Sequence, residues 1–237
     1  MANLSAKKAL VLGGSRGIGA AIVQRLASEG SAVTFTYASS DEQAEQLAEQ
    51  TGTHAVKVDS ADRDALTNMI EALGPIDILV VAAGTFVMGH ALDSNADDLD
   101  KMIDINVRSP YHASVAAARN MPNGGRIIII GSVNGDRMPM AGSAAYALSK
   151  SAIQGLVRGL ARDLGDREIT VNNVQPGPVD TEMNPADGPM KDTMHSFMAI
   201  KRHARADEIA GMVAYLAGPE AGIITGAQHT IDGGFGA

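Results

Sequence analysis

The 237-residue chain contains no cysteine. That absence removes disulfides, thiol nucleophiles and cysteine metal sites together, and it makes a reducing compartment, the cytoplasm, the expected location. Also missing is any apolar run near the roughly 18 to 20 residues that span a bilayer. Met1 to Lys8 lacks the basic start and apolar core of an export signal, so neither export nor membrane insertion is expected. Positive charge is in deficit, with 19 Lys and Arg against 27 Asp and Glu and a formal net charge of −8. Such a chain is not expected to bind DNA or RNA, whose phosphates attract a clustered basic face, although a nucleotide in a local pocket stays open. No linker-like stretch interrupts residues 1–237, which read as one domain. Apolar residues, at 45%, are plentiful and interleaved with charge, so a core can form without disulfides or a structural metal.

Short apolar runs alternate with helical patterns throughout. Ala9 to Leu12 reads as a strand, Gly13-Gly14-Ser15-Arg16-Gly17-Ile18-Gly19 as a turn, and Ala20 to Ser28 as a helix. Further strands are expected at 31–37, 53–58, 76–81, 126–130, 170–174 and near 228–231. Helical patterns lie between them, ending near Gln50 and then over 61–73, 96–121, 144–164 and 206–217. Continuous apolar strands joined by crossover helices predict a doubly wound, Rossmann-type α/β fold, a seven-stranded parallel sheet with helices on both faces. Ligands of such sheets bind beyond the carboxyl ends of the strands, where strand order reverses.

The turn after the first strand has the residues to cradle a phosphate. Gly13, Gly17 and Gly19 let backbone approach closely, and the helix that opens there presents free N–H groups and the positive end of its dipole. The same glycines also suit a plain tight turn, and their position after the first strand is what favours the phosphate. The second strand ends at Tyr37-Ala38-Ser39-Ser40, where an NAD enzyme commonly offers a carboxylate to ribose hydroxyls; the nearest acid, Asp41, lies beyond two serines. Arg16, with the hydroxyls of Ser39 and Ser40, suits a 2′-phosphate instead, because guanidinium matches phosphate geometry. The expected cofactor is therefore NADPH, with NAD open. The plainer alternative makes Arg16 a solvated loop residue and the serines turn formers.

Tyr146 and Lys150 stand four apart on one predicted helix and so share a face. That pair alone is common. It gains meaning from Ser132, which closes an apolar strand fourteen residues earlier, and from Asn106 in the long helix before it. Hydride transfer to a carbonyl leaves negative charge on oxygen, which needs a proton and hydrogen bonds. A tyrosine with a pKa of about 10 needs a close ammonium to bring it toward neutrality. Together with the spacing Gly-x-x-x-Gly-x-Gly, Pro176-Gly177, Thr181 and the closing Ile231-Asp232-Gly233-Gly234, these residues resemble the short-chain dehydrogenase/reductase family over nearly the whole chain.

The resemblance implies an oxidoreductase acting between a carbonyl and an alcohol, with no metal. It makes Tyr146 the general acid, Lys150 the group that lowers its pKa and grips the nicotinamide ribose, Ser132 the donor to the substrate oxygen, and Asn106 the holder of a water that returns protons. It implies cofactor contacts at Ser15, Ile18, Tyr37, Asp59, Ser60, Ala83, Gly84, Pro176, Gly177 and Val179, with Thr181 at the nicotinamide carboxamide. Two positions depart from the family pattern: Leu12 stands where threonine is usual, and Ala82 where an asparagine normally ties neighbouring strands.

Residues 182–205 are rich in methionine and read either as a substrate lid, with Met183 and Met190 over the substrate, or as ordinary packing of short helices. Asn134 and Arg137, and Lys201-Arg202-His203, sit near the expected pocket mouth and admit an anionic substrate. Arg137 would otherwise pair with Asp136 or a neighbouring subunit. The stretch Gly131 to Pro139, with Asn184-Pro185-Ala186, resembles a cyclic-di-GMP-binding branch of the family that promotes biofilm dispersal, which implies cyclic-di-GMP as an alternative ligand. A ketoacyl-thioester reductase is a weaker alternative. Family members usually form homodimers or homotetramers, and Ala113, Ala116, Ala117, Gly155 and Gly159 would allow close helix approach between subunits or inside one.

Overall fold

A computed structural model describes residues 4–237; the first three residues of the Met1–Lys8 segment lie outside the described residues. Seven strands form one parallel sheet: β1 (Lys8–Leu12), β2 (Ala32–Tyr37), β3 (His54–Lys57), β4 (Ile78–Val81), β5 (Arg126–Ile130), β6 (Thr170–Pro176) and β7 (Gln228–Ile231). Their order is β3-β2-β1-β4-β5-β6-β7, so the chain reverses direction of growth between β1 and β4, and a crevice opens there at the carboxyl ends.

Successive strand residues point to opposite faces, and each face therefore has its own core. Ala9, Val11, Phe35, Val80 and Ile128 pack on one side, against α1 (Gly17–Ser28) and α8 (Ala206–Ala217). Leu10, Leu12, Leu79, Val81, Ile127 and Ile129 pack on the other, against α3 (Arg63–Leu73), α5 (Ser109–Asn120) and α6 (Ala144–Asp163). The remaining helices are α2 (Asp41–Thr51), α4 (Ala96–Ile103) and α7 (Lys191–Phe197). This is the doubly wound single domain that the alternation predicts. Among the described residues, no helix is long and apolar enough to cross a membrane.

The helical pattern over 96–121 is one continuous helix with a defect. Between α4 and α5 the residues Asp104–Arg108 form a π-helical turn, which widens the coil by one residue. Such turns recur at functional sites, and nothing in the apolar spacing announces one. It carries Asn106.

Candidate active site

Thr36, in β2, pins the glycine turn: Gly13 N–H donates to Thr36 Oγ1 (3.1 Å) and Gly14 N–H to Thr36 O (2.9 Å). Gly13 has φ +76°, and a Cβ there would lie 2.6 Å from Ala83 Cα; at Gly19 a Cβ would meet Gly13 O at 2.0 Å. Only glycine lets the two strand ends and the helix start converge this closely. Arg16 occupies the N-cap of α1 with extended backbone and no side-chain cap bond. The first N–H groups of α1 thus have no capping side chain.

Both departures from the family pattern lie at this convergence. Leu12 is fully buried in one core, and Ala82 packs on the edge of the other. The strands there are joined through backbone, Ala82 N–H to Leu12 O at 2.9 Å, so apolar packing stands where a polar tie is usual.

Asp41, the acid nearest the end of β2, is already taken. Lys57 Nζ donates to both of its oxygens (2.8 and 2.9 Å), which lowers the Asp41 pKa, while burial, with the Asp41 charge beside it, raises that of Tyr37. Ser39 is exposed and Ser40 half-buried beside it. Arg16 reaches Glu182 at 3.4 Å, an exposed pair. Just beyond β3, Asp59 accepts from Ala61 N–H (2.9 Å) and Ser60 follows it.

Asn106 is 1% exposed. Its Oδ1 accepts from Thr85 N–H (2.9 Å), and its Nδ2 donates to Thr85 O (2.9 Å) and Ser149 Oγ (3.1 Å). The side chain therefore clamps the loop after β4, and a Cβ on Gly84 would sit 3.5 Å from Asn106 Oδ1 and 3.6 Å from Lys150 Nζ. Lys150 Nζ donates to Ile130 O (3.1 Å) and lies 5.7 Å from the Tyr146 ring centroid. Ser132, just beyond the end of β5, receives Asn134 N–H on Oγ (3.1 Å), and its hydroxyl is near enough to the Tyr146 phenol to favour the phenolate. All four predicted residues come together.

Burial dominates the electrostatics. It pushes Lys150 down from 10.5 to about 8 and pushes the Tyr146 phenol up, the Ser132 contact offsetting the latter only in part. The expected depression of the tyrosine by its lysine is outweighed by burial, the ammonium being hydrogen-bonded to Ile130 O. Phe86, which sequence reasoning missed, packs edge-on against Tyr146 with centroids 4.8 Å apart.

The substrate-side expectations fare less evenly. The ends of the 182–205 segment are tied together, Val179 bridging Ala204 and Thr181 pairing with Asn184. Pro176 and Gly177 close β6 against Asp232, and Thr181 flanks Gly17. Met183 is 61% exposed, Met190 half-buried, and Met198 buried beneath the segment with Val133 and Phe235. Arg137 pairs neither with Asp136 nor with open solvent. Its guanidinium donates to Phe235 O (2.9 Å) and Ala237 O (2.5 Å), while Asp136 accepts from Gln154 Nε2 (2.6 Å). Arg202 is committed to Glu208 through two bonds of 2.8 and 2.7 Å, and His203 is buried with its pKa lowered by that burial. The cationic mouth read from sequence is thus largely spent on internal contacts. Ala113, Ala116 and Ala117 pack inside the subunit, whereas Gly155 and Gly159 face open space.

A family whose description is enoyl-(acyl carrier protein) reductase matches residues 13–236. A solved short-chain dehydrogenase/reductase from Serratia marcescens is 56% identical, covers 99% of this chain and 100% of its own, and superposes with a TM-score of 0.97. The chain belongs to the short-chain dehydrogenase/reductase family. By that membership it is a nicotinamide-dependent oxidoreductase. The cyclic-di-GMP-binding biofilm dispersal mediator protein of Escherichia coli K12 is 63% identical over 237 residues, all of both chains. A crystal structure of BdcA in complex with NADPH is 64% identical, covers 98% of this chain and 96% of its own, with a TM-score of 0.97.

Proposed function

We propose that this reductase uses NADPH to interconvert a carbonyl compound and its alcohol, with Tyr146, Lys150, Ser132 and Asn106 as the working site. The observation that carries this is the convergence of the four side chains at the carboxyl ends of β4 and β5, beside a glycine turn that a Cβ would fill. The residues fit a nicotinamide dinucleotide: an uncapped helix start for its pyrophosphate, Gly13, Ser15, Gly17, Ile18 and Gly19 around it, Asp59 and Ser60 toward the adenine, Ala83 and Gly84 beneath a ribose, and Pro176, Gly177, Val179 and Thr181 at the nicotinamide.

When bound, the cofactor supplies a hydride to the carbonyl carbon. The chain handles the oxygen. Tyr146 gives its phenolic proton to that oxygen as negative charge develops, and Ser132 donates a hydrogen bond to the same atom. Lys150, mostly protonated below pH 8, stabilises the phenolate left behind and holds a ribose hydroxyl. Asn106 fixes the Thr85 loop against Lys150, and a water at the π-helical turn returns the proton. Phe86 shields the phenol from solvent.

NADPH is favoured over NADH because Asp41, which would repel a 2′-phosphate, is neutralised by Lys57. The exposed Arg16–Glu182 pair is worth about 0–1 kcal/mol and yields readily when a phosphate claims Arg16. The NADPH complex of the related structure supports the choice. The 182–205 segment acts as the lid, with Met183 and Met190 over substrate. The protein works in the cytoplasm, consistent with its lack of cysteine. It assembles as a homodimer or homotetramer through the α6 face of Gly155 and Gly159, where Leu148, seven residues before Gly155, is also exposed.

Calorimetric titration with each cofactor, followed by turnover against ketones, aldehydes, diketones and quinones, tests this reading. NADPH should bind at least about tenfold more tightly than NADH, a difference of about 1.4 kcal/mol; equal affinities would refute the preference, and no turnover by any compound would refute the reductase. A second reading, a cyclic-di-GMP-binding regulator, is favoured by the name of the Escherichia coli relative. A titration with cyclic-di-GMP, with and without NADPH, decides it: no heat in either case removes it.

A further inference from the structure

The C-terminal residues 232–237 touch three parts of the site at once. Asp232 lies under the cofactor-side turn, where a Cβ on Gly177 would be 2.7 Å from Asp232 Cα. Its carboxylate then folds the segment back on itself, accepting from Gly234 N–H (2.9 Å) and Gly236 N–H (2.6 Å). Gly233 O receives both Ala199 N–H and Ile200 N–H at 2.9 Å, at the base of the 182–205 segment. Phe235, 2% exposed, fills a small apolar cluster with Val133 of the Ser132 turn and Met198 of the lid base, and Phe197 packs edge-on against it. The fit is tight: a Cβ on Gly234 would meet Ala199 Cβ at 2.7 Å, and one on Gly236 would meet Val133 Cγ2 at 2.9 Å. One side chain closes this assembly from the catalytic side, Arg137, through Phe235 O and Ala237 O.

We propose that Arg137 is a positioning residue for the reduction: by holding the 232–237 segment it sets the lid base against the Ser132 turn and so builds the substrate-facing wall. The arginine does not itself read the substrate. Its donors go to main-chain oxygens of the segment, and the segment in turn carries the contacts to lid and turn. The kinetic part of this claim rests on the reductase reading. The hydrogen-exchange part does not.

The experiment compares wild type, Arg137→Ala, Arg137→Lys, a chain shortened by residues 235 to 237, which removes both acceptors, and Arg137→Ala in the shortened chain. With neutral and anionic carbonyl substrates alike, Arg137→Ala should raise KM about tenfold while kcat and NADPH affinity change little, the signature of lost substrate binding. The shortened chain should do the same, the combined variant should be no worse than either, and Arg137→Lys should recover part of the loss. Hydrogen exchange at Ala199 and Ile200 should quicken at least about tenfold in Arg137→Ala with exchange in β1 and β4 unchanged. A KM effect confined to anionic substrates, or a shortened chain that binds them as well as or better than wild type, would show the arginine reading substrate directly and overturn the proposal. Unchanged exchange at Ala199 and Ile200 would overturn it too, even in a protein that turned over no carbonyl compound, a failure that would count against the reductase reading alone.

Discussion

Replacing Asn106 with alanine should cost both stability and rate, because its side chain spends all three of its bonds on the site's scaffold. Two go to the backbone of Thr85 and one to Ser149 Oγ. Ser149 keeps a second bond, to Tyr146 O at 2.8 Å, so the damage falls mainly on the Thr85 loop. At about 1 kcal/mol for each bond lost, the folded state should lose about 3 kcal/mol. In a chain of this size that lowers Tm by about 6 to 12 °C. The loop so loosened carries Gly84, against which Lys150 Nζ packs, and Phe86, which packs on Tyr146, so turnover should fall about a hundredfold, equivalent to about 2.7 kcal/mol of barrier. Thermal unfolding by circular dichroism, run beside initial rates of NADPH oxidation, reads both. A Tm within about 2 °C of wild type would refute the idea that the asparagine clamps the loop.

Lys150→Met should abolish turnover and yet stabilise the unliganded protein at neutral pH. Burial holds the lysine at about 8 against 10.5, so below pH 8 the folded state carries a charge it disfavours by about 3 kcal/mol, less about 1 kcal/mol for the Ile130 carbonyl left unbonded in the variant. The folded state binds fewer protons than the unfolded one between pH 8 and 10.5, so wild-type stability rises over that window and the advantage of the variant should shrink across it. Unfolding free energies at pH 7 and pH 10 check the sign, and a variant less stable at pH 7 would contradict it. Lys57→Met should release Asp41 and raise KM for NADPH more than for NADH, with Asp41→Ala acting in the opposite sense; parallel changes for both cofactors would show that the pair plays no part in selection. Gly19→Ala drives a Cβ to 2.0 Å from Gly13 O, so NADPH binding measured by calorimetry should be lost, whereas near-normal affinity would mean the turn is not the pyrophosphate cradle.

The sheet was readable because parallel strands buried on both faces leave continuous apolar runs, as in Arg126–Ile130; the edge strand Gln228–Ile231 is mostly polar but falls where it was expected, and the long helix over 96–121 is there in outline. Ser132 just beyond β5, and Tyr146 and Lys150 one turn apart on α6, stand where spacing and topology agree, whereas Asn106, ten residues past the start of α4, drew on the family resemblance. What escaped was local or long-range in character. The π-helical turn at Asp104–Arg108 breaks helical period without changing composition. Thr36 is the one signal that was present and overlooked, a buried polar residue in the apolar strand AVTFTY. Phe86 lies in an irregular loop with no period to interpret, and Lys57 reaches Asp41 only because β3 pairs with β2. Arg137 read either as a ligand contact or as a partner of Asp136 or a neighbouring subunit, because charge near a loop says nothing of a partner a hundred residues away.

The account stands most directly on Tyr146. Wild type and Tyr146→Phe should be compared for NADPH affinity by calorimetry and for NADPH oxidation with whichever carbonyl compound the wild type turns over fastest. The phenyl ring keeps the packing against Phe86 and removes only the proton donor, so affinity should stay within about twofold while turnover falls roughly a thousandfold. A variant that retains turnover within about tenfold of wild type would contradict the account, because the proton would then be coming from elsewhere.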